Sequence, residues 1–220
     1  MGPEKRSRPS RYSWSDSRTV NADFSVELAR DDDALELPWA SSDGTHRYYD
    51  LKRRPELLLE VGEAHDNREL GEFLVTVNSS VSLFETAKCD TLISNELTEE
   101  EQAYGAAWKF GSYIDLVFSD REPRFQFEEH EAFAERMIRL LHRAPEISAA
   151  AEFIVRRCHY HREIDAGSDS NAGFCFTFYL SGYGDDEDEA RRRWNVGLKL
   201  VENAVVQLSA QQRREQQAQL

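Results

Sequence analysis

In the second half of the chain, apolar positions alternate with polar ones and then change to a helical spacing, and they do so twice. Residues 81–92 (VSLFETAKCDTL) and 108–119 (WKFGSYIDLVFS) have a period of two and predict a pair of strands. In the second of them Phe110, Ile114, Leu116 and Phe118 share a face with Ser112, while Tyr113, Asp115 and Val117 share the other. An apolar face backed by a mixed one is the pattern of an antiparallel sheet covered on a single side. From Phe127 to Ala144 the spacing becomes helical, with Phe133, Met137, Leu140, Leu141 and Ala144 as the stripe and Pro145 just beyond the end.

The same order then returns. Residues 150–163 predict a strand, 165–173 a turn and 174–184 its partner, in which Phe174, Phe176, Phe178 and Leu180 alternate with Cys175, Thr177, Tyr179 and Ser181. A helix over 185–207 follows, with Ala190, Trp194, Gly197, Leu198, Val201, Val205 and Leu208 along one side. Acids at 185–189 complement the positive end of its dipole, and Arg191, Arg192 and Arg193 lie within one turn of them.

The units 81–144 and 150–208 thus predict an α+β fold. It is a two-layer sandwich, an antiparallel sheet of about four strands with helices on one face, built from a duplicated strand–strand–helix unit. That core domain spans 80–209. Ahead of it, residues 1–20 form a basic tail without periodicity, read as disordered. Residues 21–79 form an N-terminal appendage of loop and short helices. In it Phe24, Val26 and Leu28 alternate, Leu35, Leu37 and Trp39 offer loop contacts, and short helices start near Pro55 and Leu70, the latter with Leu70, Phe73, Leu74 and Val77 on one face. Residues 210–220 read as a C-terminal tail.

Composition narrows the partners. Of the 220 residues 40% are hydrophobic, enough for a core, and no apolar run approaches the ~20 residues that span a bilayer. The net charge is −14, yet the first eleven residues carry +3 and the last ten +1, which leaves −18 on residues 12–210. A surface of that sign repels phosphate backbones and anionic headgroups, so neither nucleic acid nor a membrane is the expected partner. A basic protein suits it, and self-association through the long C-terminal helix is the other partner expected. Three cysteines, Cys89, Cys158 and Cys175, are too few and too scattered for a disulfide framework. With no apolar stretch after the basic N-terminus, the expected location is the cytoplasm.

The candidate chemistry lies on the strands. Tyr113, Asp115, Thr177 and Tyr179 share the half-covered sheet face, with His159 beside them, and aromatic hydroxyls around one acid make a ligand platform. On a strand His159 and His161 project to one face about 7 Å apart, and Cys175 falls opposite His159 if the hairpin turns near Gly167. Two firm ligands at most, among Arg156, Arg157 and Arg162, make a poor dication site, so no metal or cofactor is expected. Gly182-Tyr183-Gly184 ahead of a helix looks like a phosphate cradle, but the acids of the next turn would repel phosphate. Ser181 lacks the glycine-flanked elbow of a hydrolase nucleophile. The expected function is therefore that of a non-enzymatic binding or regulatory module, acting through its open sheet face or its acidic surface. The alternative is a small hydrolase or metal-dependent enzyme using His159, His161 and Asp115.

Overall fold

The two strand pairs meet edge to edge. A computed structural model describes residues 21–26, 34–144, 147–161 and 172–218. The first pair is β3 (Phe84–Ser94) with β4 (Trp108–Phe118), and the second is β5 (Ala149–Tyr160) with β6 (Ala172–Gly184). All pairings among these four are antiparallel, and β4 against β6 joins the two hairpins.

The sheet does not stop there, and the expectation of about four antiparallel strands needs correction. Two strands from the N-terminal region, β1 (Asn21–Val26) and β2 (Leu35–Leu37), run parallel to β5 along its outer edge. The result is a mixed sheet of order β1-β5-β6-β4-β3, with β2 also on β5. The physical reason is the edge itself. Left unpaired, β5 would present a row of open N–H and C=O groups, and the two short strands satisfy them. Leu28 and Asp31–Asp33, the basic tail 1–20 and most of the turn expected at 165–173 lie outside the described residues.

One face of the sheet carries the main core. The side chains of Phe110, Ile114, Leu116 and Phe118 from β4 and of Phe176, Phe178 and Leu180 from β6 are buried there, as the alternation predicts. Three helices cover them: α2 (Arg68–Val77), α4 (Phe127–Leu141) and α5 (Glu187–Ala218), with the short α1 (Gly62–Asp66) and α3 (Arg121–Arg124) beside them. From α2 come Leu70, Phe73, Leu74 and Val77, from α4 Phe133, Ala134, Met137, Ile138 and Leu141, and from α5 Ala190, Trp194, Leu198, Val201, Val205 and Leu208. Phe84 sits amid the rings, 4.7 Å from Phe118 and 4.6 Å from Phe133 between centroids. Trp194 is fully buried, and its indole N–H donates to Ser112 Oγ at 2.8 Å, which satisfies the polar residue the strand brings to that face.

The last helix runs well past Gln207, so most of the expected tail at 210–220 is helical up to Ala218. Its apolar stripe ends at Leu208. Beyond that point Gln, Arg, Glu and Ala favour helix, and Arg213 ties it back by donating to the Ser80 and Ser82 carbonyls at 3.0 and 3.2 Å. Among the described residues no helix is long and apolar enough to cross a membrane.

Candidate functional site

The second face of the sheet is built from the other residues of the same alternation, and two segments cover its ends. At one end the stretch around β2 crosses it. Leu37 packs with Ala87, Val117, Cys158, Tyr160 and Cys175 in a small second core, and Leu35, Tyr48 and Phe125 lean on it. At the other end the connection between β3 and β4 folds back as a 3-10 turn, Glu101–Tyr104. Tyr104 stacks on Tyr183 with centroids 4.1 Å apart and planes 9° off parallel. Glu101 pairs with Lys109, accepts from the Tyr183 hydroxyl at 3.3 Å and from the Thr98 N–H at 3.0 Å. Gly105, at φ +63°, closes the turn in a conformation that favours glycine.

Between these covers lies a trough of about 430 Å³. Its floor and walls include Tyr113, Tyr179, Ser181 and Tyr183 from the sheet and Tyr104 from the turn. Asp90, Glu100, Glu101 and Glu152 bring four carboxylates to it, against the single ammonium of Lys109.

The four platform residues come together as two adjacent cross-strand pairs, Tyr113 with Tyr179 and Asp115 with Thr177. The two rings, 6.1 Å apart between centroids, line the trough. Asp115 and Thr177 are buried, 4% and 1% exposed, and do not line it. Thr177 Oγ1 donates to Asp115 Oδ1. Burial raises the Asp115 carboxyl above the usual range, while the Thr177 hydrogen bond and the charges of Arg156 and Lys88 pull it down. Lys88, opposite Asp115 in register, lies over the rings of Trp39 at 4.4 Å and Tyr113 at 5.1 Å. Arg156 reaches the Tyr179 hydroxyl at 3.5 Å.

The three metal candidates are not brought together. Cys175 pairs in register with Arg156, and His159 pairs with Ala172. The expected opposition of His159 and Cys175 is thus off by three residues. Because strand faces alternate, an odd slip exchanges faces. His159 therefore belongs to the helix-facing parity, away from the platform, and Cys175 lies beside Cys158 and Tyr160 in the second core. His161 Nε2 contacts the Glu36 carboxylate of β2. Asp115 and Ile154 both neighbour Thr177, so His159 stands five residues further along β5, about 17 Å away. Among the described residues no group of three His, Cys, Asp or Glu side chains could hold a metal ion.

Cys175 and Cys89 also lack the electrostatics of nucleophiles. Contact with the Cys158 thiol, then burial, holds the Cys175 thiol far above its ordinary value. Burial pushes Cys89 up to about 12.

Sequence reasoning missed Tyr104, Glu101, Tyr183, Asp90 and Glu152. Tyr183 shares the parity of Tyr179 on the cleanest strand of the chain, and that signal could have placed it on this face. Nothing in the polar stretch around Thr98–Glu101 marks it as a cover. Compared with protein-family models, curated proteins and solved structures, the chain matches none.

Proposed function

We propose that this chain is a non-enzymatic binding module that holds a basic protein partner through the sheet face. One observation carries the reading: the trough gathers four carboxylates and one ammonium around tyrosine rings, on a chain of net charge −14. Aromatic rings with a polar rim suit a protein interface, and the excess of carboxylates selects a cationic one. The free cysteines support a reducing, cytoplasmic setting. The repeated strand–strand–helix order, joined at β4 and β6, supports an origin by duplication. An enzyme using His159, His161 and Asp115 would need those side chains on one face, and the register separates them.

Selection of binders from a random peptide library tests the reading. At moderate salt the recovered sequences should be rich in Arg and Lys, and high salt should release them, since exposed charge pairs are screened. Recovery of sequences with no basic bias would overturn it.

A further inference from the structure

We infer that the trough is a guanidinium pocket, which takes one arginine side chain of the partner against its tyrosine rings and rim carboxylates. The inference rests on the binding reading above and specifies its ligand.

Size is the first argument. About 430 Å³ lies near the small end of the ~300–1,000 Å³ typical of ligand cavities, room for one long side chain and the backbone that presents it. Chemistry is the second. Tyr104, Tyr113 and Tyr179 offer π faces, which attract cations, and Tyr183 lies buried beneath Tyr104 and backs its ring. Burial raises the Tyr113 phenol, which keeps that ring neutral.

The acids come from separate parts of the fold. Glu101 is committed to Lys109, Tyr183 and Thr98. Asp90 on β3 accepts from the Thr91 N–H at 2.7 Å, and the exposed carboxylates of Glu100 and Glu152 come from the covering turn's approach and from β5. Carboxylates converging from several directions match a planar fork of five N–H donors better than a compact ammonium, and the fork also stacks on rings.

The sheet face already uses this combination once. Lys88 lies over Trp39 and Tyr113 and opposite the buried Asp115. Tyr113 belongs to both arrangements, so the trough extends a surface that holds a cation on aromatic rings beside a carboxylate.

The test is a titration of the full chain, followed by NMR and calorimetry, with N-acetyl-arginine methylamide, its lysine counterpart and tetramethylammonium. The arginine amide should shift the tyrosine signals and bind at least about fivefold tighter than either of the others. Tyr104→Leu and, separately, Glu152→Gln should each weaken it about tenfold, with melting temperatures showing that both variants are folded. Glu135→Gln, on the exposed side of α4, should change nothing. Equal affinity for the three cations, or unchanged affinity in both trough variants, would overturn the pocket. A basic peptide selected as above supplies the distinction between failures. If it binds wild type and both variants equally, the pocket is wrong and the acidic-surface reading stands. If no basic peptide binds at all, both fall.

Discussion

Gly182→Ala should leave little folded protein. Gly182 lies on β6 where α5 crosses closest. A Cβ there would stand 2.1 Å from the Trp194 amide nitrogen, 2.4 Å from the Ala190 carbonyl oxygen and 2.7 Å from Trp194 Cα. All three are main-chain atoms, which have no rotamer to change, so the helix would have to lift off the strand. Lifting it withdraws Trp194 from the core and breaks its hydrogen bond to Ser112. Overpacking usually costs about 1–3 kcal/mol, and with rigid backbone on the far side we expect about 3 kcal/mol or more, a large part of the ~5–15 kcal/mol that holds a domain together. Gly111→Ala is the matched control. Its Cβ would meet the flexible end of Lys109 at 3.4 Å and Ser181 Oγ at 3.7 Å, ordinary contact on the opposite face of the sheet. Urea midpoints for the two variants check the contrast: a Gly182→Ala protein as stable as Gly111→Ala would refute the close approach of α5 to β6.

What the sequence showed and hid follows from the range of the forces involved. Strands β3 to β6 are 11 to 13 residues long, enough alternation to fix both existence and face. The stripes of α4 and α5 are equally local. By contrast β2 is three residues long and has no period to read, and its partner β5 lies more than a hundred residues away. The slipped hairpin register has the same origin: alternation says which residues share a face within a strand, and only the closed turn says which residue stands opposite. So Tyr113 and Tyr179 were legible as sharing a face, whereas their pairing and the burial of Asp115 and Thr177 were not, because a strand pattern is silent about what stands opposite or lies over it. The covering turn at Glu101–Tyr104 is recognisable from its contacts across the fold, Tyr104 stacked on Tyr183 and Glu101 paired with Lys109.

Acid should destabilise the fold through His130, and His130→Leu should remove that slope. His130 lies on α4 with no exposed surface, its ring 4.8 Å from Phe118 and 4.9 Å from Phe176 between centroids. Its Nδ1 lies 2.8 Å from the Gln126 carbonyl. Burial among rings disfavours the imidazolium and lowers the pKa from 6.5 to about 4, against a smaller upward pull from the Gln126 and Phe174 backbone. The sign follows from proton counting. Between those two values the unfolded chain holds a proton on this histidine that the folded chain lacks, so unfolding gains ground as pH falls. From pH 7 to about pH 4.5 the loss amounts to about 2–3 kcal/mol. Asp115 and Glu85 act the other way: burial raises both in the fold, so they favour the native state as pH falls through the carboxylate range. Those two groups are common to wild type and variant and cancel in the difference. Urea unfolding at pH 7 and pH 4.5 should therefore show wild type losing about 2–3 kcal/mol more than His130→Leu. Parallel losses in the two proteins would mean that the histidine is not held neutral in the folded state.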